Sequence, residues 1–188
     1  MSLLVATPGQ TAGPFFGFAL PYDGDSDLVR PDHPHAVRLH GTVLDGHGSP
    51  VPDALLEIWQ ADADGNISRE PGSLRRDGDT FTGWGRAATD DAGHFSFTTV
   101  EPGPADDGSA PFFAMTILAR GVLNRLFTRI YVPGTAGLAT DALLTSVPED
   151  RRGTLIARRD RDGLVFDVIL QGERETVFLR YPGTRRDE

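Results

Sequence analysis

The chain has 188 residues, 39% of them apolar and 24% charged, which is enough to bury a core as one domain. Its formal charge of −9 disfavours a nucleic-acid partner, and no apolar run approaches the ~18 residues needed to span a membrane. All 18 basic residues are arginine and there is no cysteine, so Schiff-base lysines, phosphate-loop lysines, thiolate catalysis, cysteine metal sites and disulfides are excluded.

Residues 1–35 read as an irregular N-terminal arm and linker. Met1–Pro8 lacks the charged region of a signal peptide, so the cytoplasm is the expected location. Thr7 to Phe16 is kinked by Pro8, Gly9, Gly13 and Pro14 and ends in aromatics, which suits a segment that packs onto its own domain or a partner. Tyr22 to Pro34, with Asp23, Asp25, Asp27 and Asp32, reads as an acidic surface linker.

Val37–Val43 alternates and ends at a turn over Gly46–Pro50, as a half-buried strand does. Ala54–Ala61 is the next strand, with Leu56 and Ile58 on one face and Leu55 and Trp59 on the other. Asp62–Trp84 is a long polar loop, a length that is uncommon without a function or a contact to make. Gly85–Thr89, a turn at Asp91–Gly93 and His94–Val100 follow, with Phe95, Phe97 and Thr99 on one face. After the Pro/Gly loop Glu101–Ala110 comes Phe112–Ala119, apolar on both faces as a central strand would be.

Arg125–Val132 alternates, with Leu126, Thr128, Ile130 and Val132 opposite Phe127, Arg129 and Tyr131. A short helix fits Gly137–Val147, and a hairpin fits Thr154–Arg158 and Leu164–Leu170 around Asp160–Gly163. Thr176–Leu179 reads as a last strand and 182–188 as a charged tail. About eight strands separated by turns predict an all-β fold, an antiparallel β-sandwich with long loops.

Candidate chemistry is sparse. His33 and His35 flank Pro34 and could place two imidazoles on one side of the chain. No carboxylate or tyrosine is spaced to complete a site there, so they read as exposed linker histidines. His40, His47 and His94 are isolated. Asp62-Ala63-Asp64-Gly65-Asn66 lacks the closing glutamate of a calcium loop and reads as a solvated turn. Arg129, between Phe127 and Tyr131, is either paired with a buried carboxylate, with Glu57 as one candidate, or offered to an anionic ligand.

Several stretches together resemble the intradiol ring-cleaving aromatic dioxygenases. They are Gly41–Asp45 with Pro50–Ala54, Leu56-Glu57-Ile58-Trp59-Gln60-Ala61-Asp62, Gly85–Thr89, Gly93–Phe97 and Val100–Pro104. The second is the most specific. Thr11-Ala12-Gly13-Pro14-Phe15, Thr128-Arg129-Ile130-Tyr131, Phe166–Glu173 and Glu175–Phe178 are similar to the subunit of the heteromeric members that does not hold the metal.

The resemblance implies a single domain over 1–188 and a non-haem ferric ion bound through two tyrosines and two histidines of a partner subunit. At the corresponding positions this sequence has Ile67, Ala105, Phe112 and Ala114, none of which can ligate iron, so no metal is expected on this chain. It further implies a partner iron-binding subunit in a higher hetero-oligomer, a dihydroxybenzoate substrate and dioxygen. Thr11, Gly13, Pro14, Phe15 and Arg129 are the residues it implies for the substrate pocket, with Phe15 standing where the family often has tyrosine. No catalytic residue is expected in this chain. A stand-alone transthyretin-like binding module is the alternative, but it gives Thr11–Phe16 and Gln171–Phe178 no role.

Overall fold

The computed structural model describes residues 11, 13, 19–70 and 77–181. Ala12, Pro14, Phe15, Phe16 and the expected charged tail 182–188 lie outside the described residues.

Among the described residues, nine strands form two packed sheets. In chain order they are β1 (Val37–Leu44), β2 (Leu55–Gln60), β3 (Trp84–Ala88), β4 (His94–Thr99), β5 (Phe112–Leu118), β6 (Leu126–Tyr131), β7 (Arg158–Arg159), β8 (Gly163–Val165) and β9 (Val168–Ile169). One sheet runs β4-β1-β8-β7, with β9 also pairing β1; the other runs β3-β2-β5-β6. The fold is an all-β sandwich, as the alternation predicts. The first sheet is mixed, however, because β8 and β9 both run parallel to β1.

The core lies between the sheets. Leu39, Val43, Phe95 and Phe97 enter it from the first sheet, and Leu56, Ile58, Phe113, Met115 and Ile117 from the second. β5 is central, yet only Phe113, Met115 and Ile117 are fully buried; Phe112, Ala114, Thr116 and Leu118 stand half-buried on the outer face. Phe95, Phe97 and Thr99 share the buried face of β4. β4 and β5 belong to different sheets, so the loop 101–110 crosses from one to the other.

The acid excess is partly turn chemistry. Asp45, Asp62, Asp90 and Asp160 each accept backbone N–H bonds from residues two to four positions on, the geometry that lets aspartate cap a tight turn. The Asp160 turn closes the β7–β8 hairpin at the place the sequence predicts, but Gly153–Leu155 is a 3-10 turn where strand was expected, and the expected Leu164–Leu170 strand is split into β8 and β9.

Two further expectations change. Tyr22–Pro34 is not simply a surface linker: the Leu28 side chain is buried in the core, its N–H donates to the Thr98 carbonyl at 2.8 Å, and Asp27 bridges Thr98. Thr176–Leu179 is not a strand. Its backbone is satisfied by separate bonds, Thr176 N–H to Ile169 and Leu179 N–H to Phe127, without a regular ladder. The predicted helix over 137–147 is present in two pieces, a 3-10 turn at Ala136–Ala139 and an α-helix at Ala142–Ser146. Among the described residues, no helix is long and apolar enough to cross a membrane.

Candidate functional site

The outer face of the second sheet carries the residues that the sequence singles out. Strand register places Trp84, Trp59, Ala114 and Arg129 side by side across β3, β2, β5 and β6. The row beside it holds Arg86, Glu57, Thr116 and Phe127.

Glu57 is not the partner of Arg129. It faces Arg86 on the adjacent strand, which donates from Nη2 at 2.6 Å and from Nε at 3.1 Å. Arg86 also donates to the Leu20 carbonyl and lies over the Trp84 ring, tying the end of the N-terminal arm to this face. Cross-strand neighbours pair most readily, and the register gives Glu57 to Arg86.

Arg129 stacks instead on an aromatic ring. Its guanidinium carbon lies 3.9 Å from the centre of Phe112, and its Nη1 donates to the Tyr131 hydroxyl at 3.4 Å. Its Nε is buried without a hydrogen-bond partner among the described residues. Tyr131 is fully buried and donates to Asp141 Oδ1 at 2.7 Å. Asp141 caps the helix Ala142–Ser146, accepting from Leu143 N–H and Leu144 N–H, and its other oxygen accepts from Ala110 N–H.

Burial pushes the Tyr131 hydroxyl up to about 12, with the Asp141 carboxylate adding to the rise against the opposing Arg129 charge. Burial also pushes the Asp141 carboxyl up. The Leu144 N–H, the Tyr131 hydroxyl, the Ala110 N–H and the Arg129 charge outweigh it, so the net shift is downward. Tyr131 is thus a neutral hydroxyl between a cation and an anion.

Ile67, Ala105 and Phe112, from three separate stretches, line one cavity of about 20 Å³ together with Trp59, Gln60, Ala61 and Gly103. Two glycines bring these loops together. Gly103 donates to the Asp62 carbonyl at 2.7 Å, and a Cβ on it would stand 2.5 Å from the Ala63 carbonyl. Gly65, at φ +87°, packs in the same way against the Pro104 carbonyl. The cavity has room for about one water molecule, and Ile67, Ala105, Phe112 and the paired Ala114 carry no side-chain donor for a metal. These positions do not fit an iron ion. Among the described residues, no three of His, Asp or Glu converge on a point that could hold one.

Within this chain the Thr11 and Arg129 side chains lie apart. The Thr11 hydroxyl accepts from Gly121 N–H at 2.7 Å and donates to the Ala119 carbonyl at 3.4 Å, just beyond the end of β5. Arg129 pairs with Ala114, five residues back along that strand and so roughly 17 Å away. Gly13 is exposed. Pro14 and Phe15 lie outside the described residues.

Sequence reasoning missed two residues here. Gln60 is buried and bridges the sheets: its Nε2 donates to the Val100 carbonyl at 2.9 Å, and its Oε1 accepts from the Thr99 hydroxyl at 2.6 Å. A glutamine in phase with Leu56 and Ile58 was the available signal. Asp141 was the other, and its position just before Ala142-Leu143-Leu144 is a helix N-cap pattern.

A two-sheet sandwich whose loops and outer strand face meet at a small apolar cavity defines a class. A family model described as "Dioxygenase" matches residues 11–111. The chain belongs to the intradiol ring-cleavage dioxygenase family. It is 40% identical over 95% of its length, and 99% of the relative's, to the protocatechuate 3,4-dioxygenase alpha chain of Burkholderia cepacia. It is 32% identical to the beta chain of the same name from that organism, covering 86% of this chain and 76% of the other. Among solved structures, the dioxygenase domain of a dioxygenase–carbohydrate-binding protein fusion from Streptomyces sp. SirexAA-E matches with a TM-score of 0.59 at 27% identity, covering 88% of this chain and 98% of that one. Similarity that runs end to end along the alpha chain disfavours the stand-alone binding module.

Proposed function

We propose that this chain is the subunit of a two-chain intradiol dioxygenase that does not hold the iron. Its partner is an iron-holding chain of the same family. Together they open 3,4-dihydroxybenzoate between the two hydroxylated carbons, adding both atoms of dioxygen to give 3-carboxy-cis,cis-muconate.

The observation that carries this reading is the cavity where Ile67, Ala105 and Phe112 meet. Three of the four positions that the family resemblance assigns to iron ligands line it, and they carry hydrophobic side chains. Exchanging buried polar ligands for apolar volume keeps a fold while removing the metal chemistry.

The contribution of this chain is assembly and the shape of the substrate pocket. Arg129 has a permanent charge and a planar fork of donors, only one of which is engaged among the described residues, so it suits the carboxylate of the substrate. Thr11, Gly13, Pro14 and Phe15 are the arm residues placed against the partner's site. In this chain alone the Thr11 hydroxyl is held by Gly121, so arm and arginine would act from separate places on the surface.

Co-expression with an iron-holding relative tests the reading. The expected result is a stable complex that consumes 3,4-dihydroxybenzoate faster than the partner alone. A partner that turns over equally well without this chain would remove it from the enzyme.

A further inference from the structure

Among the described residues Arg129 has no carboxylate within salt-bridge distance, and a side chain with that much rotamer freedom has to be held if it is to orient anything. Two contacts do so. The Phe112 ring supports one face of the guanidinium at 3.9 Å, and the Tyr131 hydroxyl meets Nη1 at 3.4 Å.

The second contact depends on a residue that does not touch Arg129 by hydrogen bond. A tyrosine hydroxyl has one proton. Tyr131 gives it to Asp141 Oδ1 at 2.7 Å, which fixes the hydroxyl rotor and leaves its lone pairs for the arginine. Asp141 is itself locked, by Leu143 N–H at 3.1 Å and Leu144 N–H at 2.9 Å on one oxygen and Ala110 N–H at 3.3 Å on the other. Orientation therefore passes from the start of the helix Ala142–Ser146, through a carboxylate and a buried hydroxyl, to the guanidinium on β6. Polar chains of this kind reinforce one another in a dry environment.

We propose that Tyr131 and Asp141 are positioning residues that hold the Arg129 guanidinium for a substrate carboxylate. The inference rests on the reading that Arg129 reaches the pocket of the assembled enzyme. Without the hydroxyl, Nη1 loses its only hydrogen bond among the described residues, and the fork can rotate about the Phe112 face.

The test uses the complex of this chain with its iron-holding partner, and two substrates that differ only by the carboxylate, 3,4-dihydroxybenzoate and catechol. The readout is preference, the ratio of the two kcat/KM values. Arg129→Ala should lower it by about a hundredfold, and Tyr131→Phe by about tenfold, through KM for the carboxylated substrate. Asp141→Asn should act in the same direction and serves as a second variant, because asparagine can still cap the helix. In an Arg129→Ala background, Tyr131→Phe should change preference no further while still lowering the melting temperature.

A preference lost in Arg129→Ala but kept in Tyr131→Phe and Asp141→Asn would overturn the positioning role and leave the pocket reading intact. The positioning role also fails if Tyr131→Phe shifts preference equally with and without Arg129. Unchanged preference in Arg129→Ala removes the arginine from the pocket, and the inference with it.

Discussion

The guanidinium of Arg129 rests 3.9 Å from the centre of the Phe112 ring, which lies diagonally across on the neighbouring strand, two residues from the Ala114 that Arg129 pairs with. Phe112 also lines the small cavity between Trp59, Ile67 and Ala105, so one side chain serves both as a cavity wall and as the support for a cation. The residue that the family resemblance sets at an iron-ligand position thus has a contact of its own. A double-mutant cycle between Phe112→Leu and Arg129→Leu, read by chemical denaturation, should give a coupling of about 1 kcal/mol, the size of a partly desolvated cation–π contact. Strict additivity would mean that the stacking stabilises nothing.

Gln60 ties the two sheets together through Thr99 and Val100. Gln60→Leu keeps most of the volume but leaves the Thr99 hydroxyl and the Val100 carbonyl buried without this partner, a loss of about 2–4 kcal/mol. The measurement is the urea midpoint at unchanged m-value. Replacing both partners, with Gln60→Leu and Thr99→Val together, should cost less than Gln60→Leu alone, because two apolar groups then face each other. A double variant weaker than the single one would contradict the bridge.

Gly103→Ala places a methyl 2.5 Å from the Ala63 carbonyl and 2.6 Å from Gly65 N, both backbone atoms that cannot swing aside. We expect a loss of about 2–3 kcal/mol from overpacking. The two loops at the cavity should also separate, seen as faster amide exchange at Gly65 and Asn66. Exchange unchanged at these amides would show that the loops are held together by something else.

Asp141 links stability to pH. Its carboxyl in the folded chain lies below its unfolded value, so its stabilising contribution is fully present above the unfolded value, about 3.9, and is lost as pH falls through the folded one. Asp45 and Asp90 are shifted in the same direction chiefly by the turn N–H groups they accept from, and at Asp160 burial, which pushes the carboxyl up, is outweighed by the turn N–H groups and His40, so acid should weaken the fold at several turns together. The stability difference between wild type and Asp141→Asn, measured by denaturation at pH 6 and again near pH 3, should shrink at the lower pH. A difference that stays constant would mean that Asp141 is not stabilised as a carboxylate.

Much of this arrangement is legible in the amino-acid order, and what is not has a physical reason. Alternation at Phe95, Phe97 and Thr99, or at Thr128, Ile130 and Val132, reports which face of a strand is buried, because side chains alternate across a sheet. It does not report register, so Glu57 could be placed on the same face as Arg129 but not paired, and the structure gives it to Arg86. Leu28 was hidden among aspartates in a stretch without periodicity, where nothing local marks a side chain that docks alone. Thr176–Leu179 has strand-like composition but finds its hydrogen bonds one at a time, which composition cannot distinguish from a ladder. The convergence of Ile67, Ala105 and Phe112 was legible only through family resemblance, since the three are 38 and 7 residues apart in the chain. Alternation placed Tyr131 beside Arg129, on the face opposite Thr128, Ile130 and Val132, and gave no sign that it is buried; Asp141 was missed, although it stands where a helix cap would. Their junction depends on how the segment after β6 folds back.

The most direct test is the iron content and visible spectrum of the chain purified alone from iron-supplied cells, beside those of the chain assembled with an iron-holding relative. The account predicts a colourless, iron-free and inactive chain alone, with iron, colour and ring cleavage present only in the assembled complex. Stoichiometric ferric iron with a tyrosinate absorption band on the isolated chain would contradict it.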